Sequence, residues 1–313
     1  IFRVPGRLVG VHRIPGRVVA VVGPTAAGKS DLAIALAREL GGEVVNADSM
    51  QLYRGMDIGT AKLPPDHRQG VPHHLLDVWD VRQEASVASY QQLARGVIDD
   101  LLARGTTPVL VGGSGLYVRA VLDDLRFPVT DPVVRARLEA ELAERGAPAM
   151  HARLAAVDPA SAAIILPGNG RRILRAIEVL ELTGEPFVAT LPGERSVYDA
   201  VQIGVDIDYG LLDARIEERV ATMWRLGLVD EVRRLEVEGL REGLTARRAL
   251  GYAQVLGFLD GRLTEAEAYA ETAQTTRRFA RKQRSWFKRD PGITWLPAGP
   301  DLPNLALGHI SGT

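Results

Sequence analysis

The sequence predicts an α/β protein: a parallel sheet of the P-loop NTPase type flanked by helices, with an all-helical domain inserted into it. Three observations lead there. An apolar, mostly β-branched run at residues 18–22 (VVAVV) feeds a glycine-rich loop and then an amphipathic helix. Short apolar runs and helical spacings then alternate along most of the chain, as in a parallel sheet with crossover helices. Between residues 131 and 195 the strand-like runs stop and only helical spacing remains.

The loop is Gly23, Pro24, Thr25, Ala26, Ala27, Gly28, Lys29 and Ser30, which fits G-x-x-x-x-G-K-[ST]. Its glycines let backbone N–H groups turn inward around an anion. Lys29 adds a point charge, and Ser30 offers a hydroxyl to Mg²⁺. The helix expected over residues 31–40 points its positive end at the same anion. These eight residues are the candidate diphosphate site.

Residues 43–47 (EVVNA) read as a second strand, with Asp48 just past its carboxyl end, the edge where ligands lie in open α/β sheets. The polar, glycine-punctuated run 48–62 lacks a period and reads as a site loop. Residues 62–80 read as loop, and His73 and His74, adjacent on an extended chain, face opposite ways and make a poor pair of metal ligands. A helix over 89–104 carries Tyr90, Leu93, Val97, Ile98 and Leu101 on one stripe. A third strand at 108–112 ends in Gly113-Ser114, where a nucleotide hydrolase carries an acid, and a helix continues to about residue 122. Proton and metal duties therefore fall elsewhere, with Asp48 the best-placed carboxylate.

In the insertion, Asp131 and Asp158 each precede a proline and open helices, and a third helix spans 169–182. It carries Arg171, Arg172 and Arg175, of which Arg171 and Arg175 share a face. The chain returns to the sheet at 201–207, followed by a long amphipathic helix over 211–239. Thr264 and Glu267 form a capping box for the last long helix, which turns strongly basic: Arg277, Arg281, Arg284 and Lys288 make one stripe, beside Phe279 and Trp286 on a face expected to pack. Such a stripe suits phosphates. The Pro- and Gly-rich tail from residue 291 is expected to fray. The domain boundaries expected are a loose extension over 1–17, a core over 18–127 and 201–297, the insertion over 128–200, and a flexible tail over 298–313.

Composition bounds the function. The chain has 313 residues, a net charge of −1 and no cysteine, which excludes disulfides and thiolate metal sites and accords with the cytosol. No apolar run approaches the ~20 residues needed to span a bilayer. Nucleic-acid affinity must come from local basic patches, since the global field is close to neutral.

In combination these motifs resemble the tRNA isopentenyltransferase (tRNA dimethylallyltransferase) family. The matching pieces are GPTAAGKS at 23–30, NADSMQLYRGMDIGTAK at 46–62, PHHLLD at 72–77, LVGGSGLY at 110–117, NGRRILRAIEV at 169–179, RRALGY at 247–252 and TRRFARKQRSWF at 276–287. The resemblance covers about residues 18–295. It implies transfer of a dimethylallyl group from dimethylallyl diphosphate to N6 of the adenosine on the 3′ side of a tRNA anticodon, position 37, with Mg²⁺ assisting and pyrophosphate leaving. It implies Asp48 as general base, Lys29 and the loop on the leaving diphosphate, and Ser114, where the family usually has Thr, at the reacting end. It implies tRNA contacts at Asp48, Ser49, Met50, Gln51, Ser114, Arg135, Arg171, Arg172, Ile173, Leu174, Arg175, Arg247, Arg248, Ala249, Leu250, Gly251 and Tyr252. Arg277, Arg281 and Arg284 join them from the basic helix, and Ala253 stands where many relatives have Arg. A monomer is expected. A small-molecule kinase, an enzyme prenylating free adenine nucleotides and a non-catalytic RNA-binding protein remain the alternatives. The kinase predicts ATP turnover, and the other two leave either the RNA-facing arginines or the pairing of Lys29 with Asp48 without purpose.

Overall fold

The structure is a computed structural model that describes residues 16–125, 127–128, 130–187 and 196–312. The extension expected over 1–17 lies outside the described residues except at its end, where Arg17 opens the first strand and pairs with Asp199.

The sheet contains β1 (Arg17–Val22), β2 (Gly42–Asn46), β3 (His73–His74), β4 (Thr107–Gly112), β5 (Asp199–Asp206) and β6 (Ile293–Pro297). Their order is β3-β2-β4-β1-β5-β6, every pair parallel. Alternation along β1 explains the layers. Val18, Ala20 and Val22 face one apolar cluster, while Val19 and Val21 face the other. The first cluster is closed by α2 (Val87–Ala103), α3 (Gly115–Leu122), α8 (Leu228–Val237) and α9 (Tyr252–Leu259). The second is closed by α1 (Lys29–Leu40), α7 (Tyr209–Arg225) and α11 (Leu302–Gly312). The basic helix, α10 (Glu265–Phe287), starts from the expected capping box of Thr264 and Glu267.

Several expectations are corrected. The single helix over 211–239 is two, α7 and α8, because Gly227 takes a left-handed conformation (φ 92°) that ends one helix and starts the next. The fraying tail is built into the fold. Pairing with β5 satisfies the backbone of β6, and Leu302, Ala306 and Ile310, four apart on α11, pack into the cluster against α1. On α2 the buried stripe runs through Tyr90, Ala94, Ile98 and Leu101, with Leu93 exposed. The stretch expected as loop contributes β3, in which His73 meets the Val71 carbonyl and His74 meets Glu43.

Residues 124–195 form a separate compact unit. It consists of α4 (Pro132–Val157), α5 (Pro159–Ile164) and α6 (Gly170–Thr183) around Leu138, Met150, Leu154, Ile173 and Ile177. Asp131, Asp158 and Asn169 cap the three helices. The sequence reading set this insertion at 128–200; residues from 196 belong with the sheet unit.

Candidate active site

The carboxyl ends of β1, β2 and β4 lie side by side because β4 sits between the other two. That order brings the loop after β1, Asp48 after β2 and Ser114 after β4 to one sheet edge. The loop after β1 wraps as its motif requires: Gly28 is left-handed (φ 99°) immediately before α1. Lys29 Nζ folds back onto the Pro24 carbonyl at 2.7 Å. Its pKa is lowered to about 7, chiefly by removal from water and then by the charge of Arg219, with the charge of Asp48 partly opposing both. Asp48 therefore lies within electrostatic reach of the cradle lysine.

The loop after β2 holds Asp48 in place. Buried Asn46 accepts from Asp48 N–H at 2.9 Å and donates to the Asp48 and Leu75 carbonyls. Asp48 Oδ1 accepts from Met50 N–H at 2.9 Å, an Asx-turn that leaves Oδ2 without a hydrogen-bond partner among the described residues. Ser114 joins this group: its hydroxyl lies 3.3 Å from Ser49 Oγ and accepts from Ser49 N–H. Gln51 turns inward to the Thr60 carbonyl.

Two residues not expected from the motifs complete the cradle. On α7, Arg219 donates to Thr25 Oγ1 at 3.1 Å and Arg215 to the Ala27 carbonyl at 3.3 Å. Both line a cavity of about 840 Å³ beside the loop, with Leu32, Met223 and Leu302 among its apolar walls. Their only sequence signal is an i, i+4 spacing on an amphipathic helix, and that cannot say which loop the helix faces. The Thr25 N–H is committed to Gln283 Oε1, so Thr25 does not offer its amide to an anion.

Buried Glu231 was also not expected. From α8 it accepts N–H bonds from Asp57, Ile58 and Gly59 and a 2.6 Å bond from Tyr252 OH. It thereby clips the loop after β2 to the RRALGY segment. Lys62 holds the same loop from within, donating to the Tyr53 carbonyl, Asp57 and Asp77.

The expected tRNA contacts divide. Ile173 and Leu174 are core residues of the helical unit, and Ala249, Gly251 and Tyr252 are buried, so in this structure they support the segments that carry them. Arg135 and Arg175 both pair with Glu178, which is fully buried. Arg171, Arg172 and Arg248 are exposed, and Arg247 donates to the Arg241 carbonyl. On α10 the expected stripe is turned onto protein acids. Arg277 pairs with Glu217 and Arg281 with Asp213, while Arg284 and Lys288 share Asp206. Phe279, expected to pack, is 42% exposed. It stands beside a second basic row, Arg278, Lys282 and Arg289, all exposed.

A phosphate-type loop, an adjacent carboxylate and two overhanging arginines thus share one sheet edge, the arrangement of a P-loop enzyme of the transferase class. The chain belongs to the IPP transferase family, whose model matches residues 51–290. It is 66% identical over 295 residues to a Streptomyces avermitilis protein named tRNA dimethylallyltransferase, covering 93% of this chain and 95% of that one. A Thermobifida fusca protein of the same name is 65% identical over 299 residues, covering 94% of each. The fold is similar to the crystal structure of the full-length tRNA isopentenylpyrophosphate transferase from Bacillus halodurans (TM-score 0.71, 39% identity, covering 95% and 96%).

Proposed function

We propose that this protein transfers a dimethylallyl group from dimethylallyl diphosphate to N6 of adenosine 37 in tRNA, releasing pyrophosphate. The observation that carries the reading is the shared sheet edge that brings Asp48, its Oδ2 without a hydrogen-bond partner among the described residues, to the side of the loop that carries Lys29. The C1–O bond of the allylic diphosphate breaks and its electron pair leaves with pyrophosphate. The adenine nitrogen bonds to C1 and gives its proton to Asp48. The adenine amine is a poor nucleophile because its lone pair is delocalised, so a positioned base matters. Lys29, Arg215, Arg219 and the loop amides neutralise the charge that develops on the leaving group. Ser114 and Ser49, hydroxyl against hydroxyl, flank the place where the nitrogen meets the prenyl carbon.

Mg²⁺ fits the donors present. The exposed Ser30 hydroxyl at the start of α1 is a hard oxygen ligand, and among the described residues no cluster of three His, Asp or Glu forms a cage. The diphosphate itself would supply the remaining ligands, and the ion would neutralise the leaving oxygen. The tRNA would be held by Arg171 and Arg172 of the helical unit, by Arg248, and by the outward row of α10. The protein's place of work would be the cytoplasm, with tRNA. Among the described residues no helix is long and apolar enough to cross a membrane.

Incubation with labelled dimethylallyl diphosphate and bulk tRNA, free AMP or no acceptor tests the reading. Label is expected in tRNA alone. Label in AMP, or ATP consumption without prenylation, overturns it.

Two further outcomes follow. The neutral fraction of Lys29 rises above pH 7, and an arriving anion restores its proton. Pyrophosphate binding at pH 8 should take up a proton, and its affinity should fall with rising pH by up to ~10-fold per unit. Lys29→Met should abolish the part of this uptake that does not belong to the ligand. The same shift has a sign in stability. The cost of charging Lys29 is fully present below pH 7 and is relieved between pH 7 and 10.5, because there the unfolded chain holds the extra proton. On α10, replacing Arg278 and Lys282 with Gln should lower the slope of log K for tRNA against log salt by about 1.5–2. An unchanged slope would leave that row a solvated face.

A further inference from the structure

On α10, Gln283 is only 7% exposed and reaches both catalytic loops. Its Oε1 accepts from Thr25 N–H at 2.9 Å in the loop after β1. Its Nε2 donates to the Gly113 carbonyl at 2.9 Å, one residue before Ser114. The amide orientation is fixed by these partners, since an N–H needs an acceptor and a carbonyl needs a donor. An ionised carboxylate at this position could accept from Thr25 but would have no proton for the Gly113 carbonyl. The approach is close: a Cβ at Gly113 would collide with Gln283 Nε2, and one at Gly115 with the Trp286 ring.

The surrounding helix has four faces, each set by 100° per residue. Ala280, Gln283 and Phe287 are buried. Arg277, Arg281, Arg284 and Lys288 engage protein acids. Arg278 and Lys282 face outward, and exposed Arg289 follows just past the helix end. Phe279 and Trp286 lie between that outward row and Gln283. One helix thus carries an outward basic row on one face and, on another, a side chain that touches the diphosphate loop and the Ser114 turn at once.

We propose that Gln283 is a positioning residue that holds the diphosphate loop and the Ser114 turn in register, and that through α10 it couples polyanion binding on the outward row to diphosphate affinity. The coupling part rests on the tRNA reading above; the positioning part does not. Inorganic pyrophosphate is the probe, its affinity measured on the full chain with and without bulk tRNA. In the parent, tRNA should tighten pyrophosphate binding several-fold. Gln283→Met, of similar volume but without either hydrogen bond, should weaken pyrophosphate about tenfold and lose the tightening, with tRNA affinity within twofold of the parent. A Gln283→Met protein that binds pyrophosphate like the parent overturns the positioning role. One that binds it weakly but keeps the full tightening overturns the coupling. Because the pyrophosphate measurement without tRNA needs no prenyl transfer, it judges Gln283 separately from the proposed reaction. Gln283→Glu provides the second test. Its neutral acid carries both an acceptor and a donor, and its carboxylate faces the Gly113 carbonyl with no proton to give. The ratio of parent to variant affinity should shrink towards one as pH falls from 8 to 5.5. A ratio constant across that range counts against the two hydrogen bonds as the cause.

Discussion

Replacing Asp48 by Asn should lower the single-turnover rate of prenyl transfer by about 10²–10⁴-fold, the range general-base catalysis supplies. The substitution keeps the shape and the oxygen that accepts the Met50 N–H, so the Asx-turn and the Asn46 network should stand. What disappears is the charge that accepts a proton from the adenine amine and that opposes the loss of charge on Lys29. The affinity for tRNA should therefore change little, and the deficit should lie in the chemical step. The pair of measurements is a quenched single-turnover rate and a tRNA binding isotherm. Turnover within a few-fold of the parent would remove Asp48 as the base, and a parallel loss of tRNA binding would make it a docking residue.

The second large effect is on stability. Glu231→Ala should destabilise the sheet unit by on the order of 3 kcal/mol, since leaving a buried donor unpaired costs ~1–3 kcal/mol and four donors lose their acceptor. For a unit of this size that is a fall in melting temperature of roughly 6–12 °C. Glu231→Gln keeps one accepting oxygen and should lose about half as much. The same substitution frees the segment that runs from Asp48 to Lys62, so the KM for tRNA should rise as well. Thermal melts of the three proteins decide the matter: a shift under about 2 °C for Ala would show that the loop is held by other contacts, Lys62 first among them.

Much of this protein can be read from its residues. The loop at 23–30, the strand before it and the helix after it are contiguous, so their geometry follows from local chemistry alone. The same holds for the helix caps at Asp131, Asp158, Asn169 and Thr264, where one side chain meets an amide two or three residues on. Asp48 was legible because the end of a parallel strand is a defined place in a sheet.

What could not be read from the residues shares one cause. The α10 stripe looked free because periodicity says which residues share a face but not what that face meets; Glu217, Asp213 and Asp206 come from 60 to 82 positions away. Arg215, Arg219, Glu231 and Gln283 act across 170 or more residues and leave no local pattern. The tail looked loose because Pro and Gly were counted, while the open edge of β5 that orders it could not be seen.

By itself, the sequence determined the loop and the strand and helix that flank it, the presence of a helical insertion and the family, since each rests on neighbours in the chain. Only the tertiary structure decided which arginines overhang the cradle, which basic row is outward and which buried acid and amide fasten the loops. Those depend on distances between segments remote in sequence, and a hydrogen bond or ion pair forms only where packing brings its two partners within about 3 Å.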